Sequence, residues 1–190
     1  MATARKTAQK KTAAKKTAAK KSSGRTAPAK KSSSSASAAK TDATVLLERD
    51  HNEVKKLFKQ YEKLSRNEAD GQERQALAAQ ICSMLTVHST IEEEIFYPAS
   101  REAGVEEDLL DEAEVEHASA KDLIAQIQSM SPDDELYDAK VTVLGEYVNH
   151  HVEEEEGQMF PKCRRAKMDL AGLAQSLAER KSELMAEQPA

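Results

Sequence analysis

Apolar side chains recur at alternating intervals of three and four residues along four separate stretches, the spacing that lines one face of an α-helix. The first stripe is Leu47, His51, Val54, Phe58 and Tyr61, in a helix expected to be capped by Thr41 or Asp42 and to run to about Ser65. After a polar stretch broken at Gly71, the second carries Leu77, Ile81, Met84 or Leu85, His88, Glu92, Ile95 and Phe96. Pro98 is expected to stop that helix, because a proline pushes the residue before it out of helical geometry. The third, from about Glu106 to Ser129, carries Leu110, Ala113, His117, Ala120, Ile124 and Ile127. Ser131, Pro132 and Asp133 mark a turn, and the fourth carries Tyr137, Val141, Leu144, Val148, His151, Glu155 and Met159 before Pro161. Four amphipathic helices with short links predict an all-α, up-down-up-down four-helix bundle over residues 41–161. Leu170, Leu173, Leu177 and Leu184 predict one shorter helix within residues 162–190, packing on the bundle.

Polar residues stand inside these stripes, not beside them. His51, His88, His117 and His151 each hold a core position on a different helix, and Glu92 and Glu155 follow two of them by four residues. The stretch His88 to Pro98 recurs as His151 to Pro161, with His, Glu-Glu, an aromatic and Pro at the same offsets 63 residues apart. Residues four apart sit one turn apart on one face, so each copy aims an imidazole and a carboxylate at the same point. A lone histidine on an apolar stripe is ordinarily a satisfied core residue. Four histidines and two glutamates converging, with no Lys or Arg on any stripe, leave buried carboxylates that a cation would match. Imidazole plus carboxylate without thiolate suits iron, manganese or zinc, and facing helices of a bundle are where two-metal carboxylate sites are built. His150 lies about 100° round the helix from His151, so it is expected outside the ligand set, in a supporting or entry role. The remaining acids of the 92–94 and 153–156 runs are expected mostly to face solvent.

Composition divides the chain in two. Residues 1–40 hold 12 of the 28 Lys and Arg and no acid, so residues 41–190 keep 16 against 33 acids, a net of −17. That first segment repeats Lys-Lys, Thr and Ala every five residues, and apart from Met1 it has no large apolar side chain, so it is expected to be disordered. It resembles the lysine-rich tails of linker histones in composition. Its cations can displace counterions from a polyphosphate backbone, and Lys10, Lys11, Lys15, Lys16, Lys20, Lys21, Arg25, Lys30 and Lys31 are the expected contacts to DNA, without sequence preference. A solubilising tail or a clasp on the acidic body is the alternative. Cys82 and Cys163 stand 81 residues apart without a paired framework, which points to a reducing compartment. With no apolar run long enough to span a membrane and no apolar leader, the protein is expected to be cytoplasmic, with nucleoid association as a further expectation.

Together, His51, His88-x-x-x-Glu92 with Tyr97-Pro98, His117, and His151-x-x-x-Glu155 with Phe160-Pro161 resemble the hemerythrin-like, or HHE cation-binding, domain. The match covers about residues 41–161, and the 172–184 helix is similar to a tail that many members carry. The resemblance implies a four-helix bundle around two non-haem iron ions, with manganese or zinc as substitutes, histidines on each ion and the two glutamates bridging. Oxygen-carrying hemerythrins have a second histidine one turn after the first on the third helix, where this chain has Lys121, and an Asp five residues after the last histidine, where it has Glu155 at four. Tyr147, Tyr61 and His150 are the candidates to fill or support the position left open. The implied function is binding or sensing oxygen, nitric oxide or peroxide, or handling iron, with the basic arm as a DNA tether. Two alternatives are a nucleoid-associated protein with a metal-containing head, and a peroxidase or oxidase at an open iron position. Beyond the ligands themselves, no acid, base or nucleophile stands out.

Overall fold

The computed structural model describes residues 42–187, in which every regular element is helical. The segment 1–40, with the expected DNA contacts from Lys10 to Lys31, lies outside the described residues, as do 188–190 of the C-terminal segment. Helix α1 spans Ala43–Arg66, and the Asp42 carboxylate caps it by accepting the Val45 N–H at 3.0 Å. Helix α2 spans Gly71–Ile91, capped by Asp70. The chain then passes without a break through a π-helical turn, Glu92–Phe96, into α3, Tyr97–Glu102. Gly104, at φ +75°, reverses it into α4, Glu107–Gln128. Helix α5, Tyr137–Glu154, repeats the pattern, with a second π-helical turn over Glu155–Met159 leading into α6, Phe160–Arg165, and α7 spans Leu170–Glu187.

The prolines do not act as stops. In each π turn the hydrogen bonds reach one residue further back, so the Tyr97 N–H meets the Glu92 carbonyl and the Phe160 N–H meets that of Glu155. Pro98 and Pro161 then occupy the first turn of α3 and α6, where a missing N–H costs little. Both widened turns begin at the two glutamates singled out by the repeat.

Each of α1, α2, α4 and α5 crosses from one apolar cluster to another through a polar layer. Leu47 belongs to one cluster and Val54 and Tyr61 to the other; α2 runs the opposite way, from Ile81 and Leu85 to Phe96. Helix α4 goes from Leu110 to Ile124, and α5 returns from Val141 and Val148 to Met159 and Phe160. Alternating direction in this way is the up-down-up-down bundle. Leu57, not Phe58, takes the core position on α1; Phe58 lies half-buried over Gly145, where a Cβ would come within 3.1 Å of the ring. Helix α7 packs through the fully buried Leu177 on α1, α2 and the first π turn. No described helix is long and apolar enough to cross a membrane. Cys82 and Cys163 are both buried free thiols.

Candidate metal centre

The polar layer between the two apolar clusters consists of His51, His88, Glu92, His117, His151 and Glu155, every one buried. The 3.6-residue repeat places them there, with one histidine per helix at the same level and each glutamate one turn further on. The imidazoles form two pairs. His51 Nε2 is 3.0 Å from His88 Nε2, and His117 Nε2 is 3.1 Å from His151 Nε2. Between the pairs lie the carboxylates. Glu92 turns Oε1 to His88 at 3.2 Å and Oε2 to His117 at 3.5 Å, while Glu155 Oε2 lies 3.2 Å from His51 and 3.5 Å from His151. Two overlapping clusters result, His51-His88-Glu92-Glu155 and Glu92-His117-His151, each with its ligand atoms within 4.8 Å of one another.

Outward nitrogens are held by a second ring of acids. His51 Nδ1 meets Glu156 at 2.9 Å, His117 Nδ1 meets Glu93 at 3.0 Å, and His151 Nδ1 meets Glu116 at 2.8 Å. A carboxylate on Nδ1 fixes the N–H there and leaves the Nε2 lone pair facing inward, as metal-ligating imidazoles require. His88 differs, with Nδ1 at 3.6 Å from Asp50 Oδ2, beyond hydrogen-bond reach. The two halves obey one rule, with an acid just before His51 and just before His117, and a second Glu just after Glu92 and just after Glu155. Of these four acids, Glu93 and Glu156 belong to the 92–94 and 153–156 runs expected mostly to face solvent, and Asp50 and Glu116 to neither. Glu93 and Glu156 are half-buried against imidazoles of the opposite half.

Electrostatics follow from this crowding. Burial works against charge on His88, but the fields of Glu92 and Glu155 and the nearby Asp50 outweigh it and raise its pKa to about 10. Burial likewise opposes charge on His151, and Glu155, with Glu116 and Glu92, raises it to about 8. Burial would lift the Glu155 carboxyl, but the charges of His151, His51 and His88 hold it at about 2. Glu93, hydrogen-bonded to His117 and Lys121, is also held at about 2. Even so, both oxygens of Glu92, Oε2 of Glu155, Oδ2 of Asp50 and Nδ1 of His88 are buried without a hydrogen-bond partner. Orphaned carboxylate oxygens facing paired imidazole nitrogens fit a cation donor set of nitrogen and oxygen.

Tyr97 is the ligand-layer neighbour that the stripes did not single out, although it is the aromatic of the repeated motif. Its buried hydroxyl donates to Glu155 Oε1 at 3.0 Å and lies 3.4 Å from His117 Nε2. In the other half Phe160 occupies the equivalent place and stacks on His51. The three expected supports are arranged differently. Tyr61 stands away from the centre, its hydroxyl donating to Asp138 at 2.6 Å. Tyr147 is 48% exposed, at the wall of a cavity, and exposed His150 lies 3.6 Å from the outer oxygen of Glu116, whose other oxygen holds His151. Lys121, at the oxygen carriers' second histidine position, donates to both oxygens of Glu93 at 2.7 and 2.6 Å and so backs His117.

On one side of the layer a cavity of about 40 Å³ reaches the histidines. Val54, Leu85, Ile124, Val148 and Val152 give it apolar walls, with Lys121 among its polar groups.

Residues 42–163 match the family described as Hemerythrin HHE cation binding domain. Over 122 residues, 63% of this chain, the sequence is 32% identical to a DNA nickase of Nostoc sp.. The chain spans about a third of that relative's length, the matched part being 32% of it. The fold is similar to the crystal structure of a hemerythrin HHE cation binding domain-containing protein from Mycobacterium kansasii, at TM-score 0.63 and 25% identity, over 76% of this chain and 88% of that one.

Proposed function

Because this chain belongs to the hemerythrin HHE cation-binding domain family, we propose that it holds two iron ions in the His/Glu layer and uses them to bind or sense a small diatomic or peroxide ligand. One observation carries this reading: Glu92 offers one unpartnered oxygen to the His88 side and the other to the His117 side, the disposition of a carboxylate shared by two cations. His51 and His88 would hold one ion, His117 and His151 the other, and Glu155 would lie between them, oriented by the Tyr97 hydroxyl. Bound iron would supply a redox couple and open coordination positions. The protein's part is to fix the imidazoles through Glu156, Glu93 and Glu116, and to exclude bulk water with the apolar walls. At roughly 10–15 Å³ per water-sized molecule, the cavity of about 40 Å³ admits roughly three such molecules, room for oxygen, nitric oxide or peroxide but not an organic substrate.

Ferrous loading of the full chain without oxygen, followed by optical spectra with oxygen, nitric oxide and peroxide, tests this. A charge-transfer band that changes with one of them is expected. An iron-loaded spectrum indifferent to all three would reduce the centre to a structural or storage site. Turnover of peroxide would instead favour the peroxidase reading.

A second reading concerns nucleic acid. Twelve cations without an acid in residues 1–40 support DNA contact, and a relative named as a DNA nickase adds weight to placing the metal domain near DNA. On this reading the arm tethers a metal-containing sensor to a polyanion.

A further inference from the structure

Three of the four imidazoles have their outward nitrogen closed onto a carboxylate at 2.8–3.0 Å. The fourth does not, and the acid that faces it is held from α7. Asp50 is buried at 4% exposure, and its Oδ1 accepts from Lys181 Nζ of α7 at 2.6 Å, leaving Oδ2 3.6 Å from His88 Nδ1 with neither atom otherwise hydrogen-bonded. Arg180, the preceding residue, grips Glu94 through both carboxylate oxygens, at 2.7 and 3.2 Å, and Glu94 lies in the π turn that Glu92 begins. Two consecutive cations of α7 thus attach it to an acid beside His51 and to one two residues from Glu92.

We infer that Lys181 and Asp50 are positioning residues that connect α7 to the metal centre through His88, so that loading metal tightens the docking of α7. The inference rests on the metal reading above and adds a direction to it. A cation on His88 Nε2 holds the ring with its remaining N–H on Nδ1, facing Asp50 Oδ2, so that the 3.6 Å gap closes to a hydrogen bond. Asp50 has a second oxygen for Lys181, so closing on His88 does not require releasing α7. The carboxylate then becomes a fixed bridge with a cation at each end. Coupling between sites is reciprocal, so whatever loosens α7 weakens metal on the His51 and His88 side by the same factor.

Hydrogen exchange of the full chain, metal-free and after anaerobic ferrous loading, with iron measured on the same samples, tests the connection. Loading stabilises the whole fold, so the informative quantity is the slowing of amides 174–187 beyond that of α4. In the wild type this extra slowing should be about fivefold or more, the lower end of ordinary coupling between sites. Lys181→Met, which keeps the aliphatic stem and the Arg180–Glu94 clamp, should lose it, and Lys181→Arg should restore it. An iron-loaded wild type whose α7 slows no more than α4 would overturn the connection while leaving the metal reading intact. The same result would follow from Lys181→Met gaining as much as the wild type. A wild type that takes up no iron would overturn both.

Discussion

Each imidazole pair presents a problem that a proton or a cation solves. Glu93 and Glu116 fix the N–H of His117 and His151 on the outside, so two Nε2 lone pairs would face each other at 3.1 Å unless something positive sits between them. In the metal-free chain a proton serves the His117–His151 pair, in keeping with His151 at about 8; in the other pair only His51 is fixed from outside, by Glu156, and the carboxylates around His88 raise it to about 10, which keeps a proton there as well. Loading metal near neutral pH should therefore release about two protons per chain, measurable in weakly buffered solution. The signs for stability follow. Raised imidazoles stabilise the metal-free fold fully below the unfolded value of about 6.5 and lose that contribution as pH rises through about 8 and then about 10. Glu155, lowered to about 2, contributes above the unfolded carboxylate value and loses its share as pH falls toward about 2. The metal-free chain should thus melt highest between about pH 5 and about pH 6, while the gain in Tm on ferrous loading should grow from about pH 6 to about pH 8 as fewer protons must be displaced. A loading gain that is flat with pH would contradict this protonation scheme. Glu116→Gln, which keeps the shape but removes the charge behind His151, should weaken metal binding about 10- to 100-fold without emptying the centre, read by competition with a chelator.

The π turns carry the other half of the design. Each begins at a glutamate of the centre and ends where an aromatic ring backs a histidine, Tyr97 under His117 and Phe160 under His51. Gly157 lies within the second π turn, and a Cβ there would meet nothing within 4 Å. Gly157→Ala should be tolerated or stabilise by about 0.5–1 kcal/mol. Thermal melts check this, and a Gly157→Ala variant that melts well below the wild type would contradict it. Much of this element scale was legible beforehand. The four stripes, the alternating directions and the convergence of His51, His88, His117, His151, Glu92 and Glu155 follow from the 3.6-residue period. The π turns did not, because Glu92–Phe96 is ordinary helical sequence and a proline six residues after the glutamate reads as a stop. What widens each turn is the tertiary demand of a carboxylate in the layer and a ring behind it. Contacts such as Lys181 to Asp50 and Lys121 to Glu93 were hidden for another reason: they join residues distant in sequence, which no helical period connects.

For the whole molecule the sharpest contrast is between a segment with 12 cations and no acid and a remainder at −17. If the basic segment is what meets DNA, the full chain should shift any duplex at low salt, without sequence preference and with an affinity that falls steeply as salt rises. A chain beginning at Thr41 should shift none while keeping its metal, and equal shifts by the two would remove nucleic acid from the account. The central claim concerns the layer, not the arm, and counting metal tests it most directly. After anaerobic ferrous loading and removal of loose iron, the wild type should retain two ions per chain. His117→Ala should retain no more than one, because it opens the His117–His151 half, and Glu92→Ala should lose both, because it faces each half with one oxygen. A wild type that keeps no iron, or a His117→Ala variant that keeps two ions, would contradict the assignment.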